Sequence, residues 1–187
     1  VDALDAARQD DIGDDLLRLI FVACHPLLSR DAQVALTLRL LCGLTTEEGA
    51  RAFLAPDPTF AQRIVRAKRS LGEAGVAFEV PRRDELPQRL SAVLGVVYLV
   101  FNEGYSGDVD LAGEAIRLGR QLAAVIDHPE VQGLLALMLL HHARRNARLS
   151  AEGSLIPLAE QDRSRWDTAS IAEGIGILQA ALARDRL

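Results

Sequence analysis

Residues 45–71, TTEEGARAFLAPDPTFAQRIVRAKRSL, are punctuated so closely that one local solution fits them: two short helices either side of a turn of a few residues. Thr45 stands where it can cap the amide of Glu48 while Glu48 reaches back to the amide of Thr45, the capping box that opens a helix. Pro56 cannot extend that helix, Asp57 can cap the next, and Pro58 suits its first position. The second helix is the unusual one. At ~100° per residue, Phe60, Ile64, Ala67 and Leu71 fall on one side and Thr59, Gln62, Arg63, Arg66, Arg69 and Ser70 on the other, with Lys68 on the margin. This stretch holds four cations, and no acid appears between Asp57 and Glu73, in a chain whose formal net charge is -5. Solvated helices ordinarily mix signs to gain pairs at i,i+4. The cations are therefore expected to be uncompensated and open to an external polyanion; the plainer alternative is a solvated amphipathic helix.

The rest of the chain suits helices packed without bulky rings, because 49% of its residues are apolar but only 4% aromatic. Cores then have to be built from Leu, Ala, Val and Ile, and an all-α fold is expected. A length of 187 residues holds one ordinary domain or two small ones. Two are expected: a helix-turn-helix domain over 1–72, a linker over 73–86 marked by Gly75, Pro81 and a charge cluster, and a helical bundle over 87–187. In the first, DDLLRLIFVACHP predicts a helix closed by Pro26, and SRDAQVALTLRLLCGL a helix capped by Ser29 and stopped by Gly43. In the bundle, Leu90, Val93, Leu94, Val97 and Phe101 make one stripe, and Leu111, Ala115, Leu118, Leu122 and Val125 another. DHPE then starts a helix with Asp127 or His128 as cap, LSAEGSLIPL predicts a short hairpin or irregular loop, and a last helix runs through Ile171, Ile175, Leu178 and Leu182. These are hairpins of the kind helical-repeat (TPR-like) proteins stack, although no clear repeat is present. Cys24 and Cys42 lie in apolar runs without CxxC spacing, which predicts buried thiols in a reducing, cytoplasmic setting. The apolar runs fall short of the roughly 18 residues a membrane span needs. A chain that opens on Val1 points to a longer parent protein.

At this point a resemblance enters. LTTEEGARAFLAPDPTFAQRIVRAKRSL resembles region 4 of bacterial extracytoplasmic-function (ECF) RNA polymerase sigma factors, and SRDAQVALTLRLLCGL is similar to the helix behind that motif. LPQRLSAVLGVVYLVFNEGYSG, AIRLGRQLAA, LLALMLLHHARR and EQDRSRWD look like the helical C-terminal extension of one subgroup. The resemblance implies a helix-turn-helix that reads the minus-35 promoter element, with Thr59, Gln62 and Arg63 nearest the bases and Arg66, Lys68 and Arg69 on phosphates. It also implies a contact with the β flap of the RNA polymerase core. Gly49 stands where the family usually carries a branched apolar residue, which implies looser positioning of Arg63 and Arg66. Region 2 has no counterpart here and is expected upstream, so the chain is expected to be the C-terminal part of an alternative sigma factor, its extension regulating activity.

Polar groupings in the second half could be mistaken for chemistry. Asn102, Glu103 and Tyr105 follow an apolar helix, and Arg163, Trp166 and Asp167 lie in EQDRSRWD; they form either an internal polar cluster or a contact surface for the missing region or polymerase. His141 and His142 point about 100° apart on a helix and lack an HExxH pattern, so no metal site is expected, even with Glu103 and Glu114 as partners. No serine sits in a GxSxG elbow, and neither GxGxxG nor a Walker A loop occurs. Neither an enzyme nor a cofactor is expected. The rival to promoter binding is a helical protein-interaction scaffold without DNA binding, its basic helix docked on an acidic partner.

Overall fold

Thr45 does form the capping box, its Oγ1 accepting from the Glu48 amide at 3.1 Å and its own amide donating to the Glu48 carboxylate at 2.8 Å. Ser29 likewise accepts from the Ala32 amide, and Gly43 adopts a φ of +68° just beyond the helix it stops. The computed structural model describes residues 2–103 and 110–184, with side chains from Gly13 onward. Among them the chain is all-α: α1 (Asp2–Ala23), α2 (Arg30–Leu40), α3 (Thr46–Ala52), α4 (Asp57–Glu73), α5 (Leu86–Glu103), α6 (Leu111–Val125), α7 (Pro129–His142) and α8 (Thr168–Ala183). None of the described helices is long and apolar enough to cross a membrane.

Two compact units result, residues 1–125 and 126–187. The expected linker, 73–86, therefore lies inside the first unit, as the connection from α4 to α5. Arginines explain why α5 and α6 stay with α1 and α2. Arg89 donates to the Phe21 carbonyl at 2.7 Å and Arg117 to the Leu41 carbonyl at 2.9 Å, so each supplies a donor at the open C-terminal end of a helix. In the other direction Arg30 donates to the Ala92 carbonyl at 3.0 Å, a contact that Gly95 permits, since a Cβ there would lie 3.3 Å from the guanidinium. Gln33 is buried and donates to the carbonyls of Cys24 and His25, closing the end of α1 from inside. In the three arginine links the donor is charged, which makes a hydrogen bond stronger than one between neutral groups. Leu90, Val93, Val97, Phe101, Leu111, Leu118 and Leu122 are buried along the expected stripes.

Phe60 seats α4 on α3. Its ring lies where Gly49 has no side chain: a Cβ at Gly49 would come within 2.5 Å of two ring carbons. Gly49 does not loosen this corner, as the departure from the family pattern implied. It makes the space that the fully buried Phe60 fills, with Ile64, Ala67 and Leu71 buried along the same side of α4. The turn between α3 and α4 is tight enough to hold Leu54 at a φ of +48°, a region that disfavours a residue with a Cβ.

The second unit is a pair of helices with a long connection. His128, and not Asp127, caps α7, accepting from the Glu130 amide through Nδ1 with Pro129 at the first helical position. The connection contains the short hairpin, bridged at Leu149 and Leu155 and turned by Gly153 at φ +81°. On α8 the buried residues are Gly174 and Ala181, small enough for close approach; Gly174 lies against Leu140 and the Ala136 carbonyl of α7. Of the stripe expected to carry this helix, Ile171 is half-buried, while Ile175, Leu178 and Leu182 are exposed, Leu182 at 54%. Among the described residues α8 packs mainly on α7 in this unit and leaves the side carrying Ile175, Leu178 and Leu182 exposed.

Gly49→Ala separates two opposing effects. Helix propensity alone would stabilise α3 by about 1 kcal/mol, whereas the clash with Phe60 should destabilise the chain by about 1–3 kcal/mol; a lowered midpoint in thermal unfolding is expected. Cys24 is buried beside Thr37, and burial pushes its thiol up to about 12. Its reaction with a disulfide reagent at neutral pH should therefore proceed only as fast as the chain unfolds, and become immediate in denaturant.

Candidate nucleic-acid interface

α4 begins without a side-chain cap. Pro56 occupies the N-cap position with Asp57 and Pro58 inside the first turn, one residue earlier than the sequence suggests. The Phe60 amide bonds to the Pro56 carbonyl at 3.0 Å, and Asp57 serves instead as a negative charge in the first turn, where the helix dipole favours one. From this start the packing of Phe60, Ile64, Ala67 and Leu71 fixes which side of α4 is free. Thr59, Gln62, Arg66, Lys68 and Arg69 are exposed, and Arg63, nearer the packed side, is half-buried.

The cations are not all uncompensated. Arg63 Nη2 lies 3.4 Å from Asp31 Oδ2 on α2, and Arg69 Nε lies 2.6 Å from Glu73 Oε1 one turn on. Asp31 is 32 positions away in sequence and Glu73 sits just past the acid-free stretch, so a segment-by-segment count of charge misses both. Arg66 and Lys68 form no ion pair among the described residues, which leaves them as the uncommitted positive charges of this face. Between α4 and the α1–α2 connection runs an open groove of about 370 Å³, with Leu28, Ser29 and Ala32 on one side and Thr59, Arg63 and Arg66 on the other. Val65 was not singled out from the sequence, yet it is 65% exposed. The same ~100° arithmetic sets it between Gln62 and Lys68, as an apolar contact on a polar face.

The face can offer a polyanion two kinds of contact. Arg66 and Lys68 are free to pair with phosphates, which is charge attraction without sequence preference. Gln62, Arg63 and Thr59 carry the donors and acceptors that can distinguish base edges.

Of the second group of candidates, Asn102 is exposed and Glu103 half-buried at the end of α5, in the first unit; Tyr105 lies outside the described residues. Arg163, Trp166 and Asp167 come together in the second unit, just before α8. The Arg163 guanidinium stacks 5.4 Å from the centre of the Trp166 ring, and the indole Nε1 is buried without an acceptor among the described residues. Asp167 is the N-cap of α8, accepting from the Ser170 amide at 3.1 Å and the Ser170 hydroxyl at 2.8 Å, with Arg145 at 3.8 Å. Its own amide donates to the Ala143 carbonyl at 2.8 Å, tying the start of α8 to the end of α7. Asp167 thus ties a helix junction, with the stacked Arg163 and Trp166 beside it in sequence. Among the described residues no group of three or more His, Cys, Asp or Glu side chains is placed to hold a metal.

Residues 89–182 match a family of unknown function, DUF6596, and the chain belongs to that family. The match runs from α5 into α8 and leaves α4 outside it. The chain is also similar to an uncharacterised protein of Rhizobium meliloti (strain 1021), 42% identical over 193 residues that take in 99% of this chain and 45% of the relative. It therefore spans less than half the length of that curated relative. No solved structure matches.

The Ser170 hydrogen bonds, with Arg145 nearby, hold the Asp167 carboxyl below its ordinary range. A carboxyl depressed in the folded state lends stability above its unfolded value, and that stability is lost as pH falls through the folded one. The advantage of wild type over Asp167→Ala in thermal unfolding should thus be full at neutral pH and shrink below about pH 4.

Proposed function

We propose that the chain is the C-terminal part of an ECF-type sigma factor, in which residues 1–72 bind the minus-35 promoter element in transcription initiation with RNA polymerase. α4 is the recognition helix, seated through Phe60 and presenting Gln62, Arg63 and Arg66 to the major groove. The observation that carries this reading is that α4 exposes Thr59, Gln62, Arg66, Lys68 and Arg69 on one side, with Arg66 and Lys68 in no ion pair among the described residues, in an acidic chain. Overall acidity discourages indiscriminate adhesion to nucleic acid, while a local basic face retains a salt-dependent attraction.

In this proposal the helices beyond α4 form the regulatory extension. The exposed apolar side of α8 supports a role for it in protein contacts, a role that a scaffold binding no DNA would share. Polymerase core, through its β flap, and region 2 of the parent sigma factor are the proposed partners. The cytoplasm is the proposed setting.

Fluorescence anisotropy tests the reading on a duplex selected by the wild-type chain from a random pool and on a scrambled duplex of equal length. Arg66→Ala should weaken both duplexes alike, lowering the salt slope by about 0.9. Gln62→Ala should cost about 1–3 kcal/mol on the selected duplex and narrow the gap between the two. Polymerase capture with no retention of duplex at low salt would replace this reading with the scaffold.

A further inference from the structure

We infer that Asp31 is a positioning residue for Arg63: it holds the guanidinium at the mouth of the α4 groove and makes binding more selective at the expense of indiscriminate phosphate contact. The inference rests on the DNA-binding reading of α4. Its basis is an asymmetry in the pair, whose closest atoms lie 3.4 Å apart: the Arg63 side chain is 29% exposed and that of Asp31 is 72% exposed.

Arg63 belongs to the edge of the packed side of α4 and lines the groove with Ala67, Ala32 and Leu28, so its stem has little freedom. Asp31 reaches it from the first turn of another helix, α2, at no great desolvation because most of its side chain remains in water. An exposed pair of this kind adds little to stability, and on a stem already confined by the groove a small bias is enough to orient the guanidinium. It has two consequences for an incoming duplex. The carboxylate repels phosphate and competes with it for Arg63, so the pairing that any sequence could offer gains less. A guanidinium has five N–H donors in a fixed fork, so one engaged by Asp31 leaves others aligned for the paired acceptors of a base edge such as guanine N7 and O6. Arg66 and Lys68 carry no such partner among the described residues and remain the phosphate ligands. The acid thus sets Arg63 apart from Arg66 and Lys68 in this row of cations, while Arg69 is paired with Glu73 on its own helix.

The test uses the 187-residue chain and the same two probes, the duplex selected from a random pool and its scrambled counterpart, with anisotropy measured over a range of salt. Asp31→Asn removes the charge at an exposed position. It should tighten binding of the scrambled duplex about three- to tenfold, steepen its logarithmic salt slope by about 0.9 and shrink the discrimination between duplexes. Asp31→Glu should restore wild-type behaviour in part, by keeping the acid on a longer arm. In an Arg63→Gln background Asp31→Asn should change the slope and the discrimination little, because its effect passes through Arg63. Circular dichroism checks that each variant keeps its helices, with Asp31→Ser as a second neutral replacement should Asn disturb α2. An unchanged slope and discrimination in Asp31→Asn would overturn the inference while leaving DNA binding intact. So would an equal effect in the Arg63→Gln background, which would mean that the carboxylate acts on the duplex directly. A pool that yields no enriched duplex for the wild-type chain would instead remove the DNA-binding reading on which this rests.

Discussion

The fit of the Phe60 ring into the space left open at Gly49 governs what α4 can present. A helix of this length has no intrinsic preference for which side it turns outward; that is set by where its apolar residues find cover. With the ring seated against α3 and with Ile64, Ala67 and Leu71 buried behind it, Gln62 and Arg66 are left exposed. Interiors are close-packed, so a side chain added at Gly49 alone meets the Phe60 ring, and a smaller residue at Phe60 alone leaves a cavity. The same seating draws Arg63 toward the packed side and leaves it half-buried.

Arginines serve two different ends in the first unit. Arg30, Arg89 and Arg117 donate to backbone carbonyls of neighbouring helices, Arg89 and Arg117 at helix ends, where a forked donor meets a carbonyl without an intrahelical partner. Arg66 is exposed and has no ion-pair partner among the described residues. A net charge says nothing of this division: the formal value of -5 is compatible with a positive face because it is a sum over the whole chain, and no acid lies between Asp57 and Glu73. Asp31 extends the same logic to α4 itself, where a single acid from a neighbouring helix distinguishes Arg63 from Arg66.

How much of this was legible beforehand depended on the range of the interaction concerned. Caps and turns act over three or four residues, so the box at Thr45 and Glu48, the cap at Ser29, the stop at Gly43 and the proline-led start of α7 could be located from local chemistry. The error at Asp57 was of one position, because Pro56 already has the extended backbone an N-cap needs and the chain turns helical directly after it. The polar face of α4 was legible for the same reason, since helical periodicity is a local property. By contrast the partners of Arg63 and Arg89, the role of Gly49 and the open side of α8 were hidden. Each depends on a residue brought near from a different helix, or on the lack of one, and periodicity records that a face is apolar without recording whether anything covers it.

The sequence alone determined that this chain is helical, where α2, α3 and α7 begin, and which side of α4 is polar, because these follow from backbone hydrogen bonding and from the 3.6-residue turn. Tertiary structure alone decided that α5 and α6 close onto α1 and α2, that Phe60 occupies the gap at Gly49, and which cations of α4 stay uncommitted. Those outcomes are set by volume and charge arriving from residues tens of positions apart, and only folding brings them within the few ångströms over which packing and hydrogen bonds act.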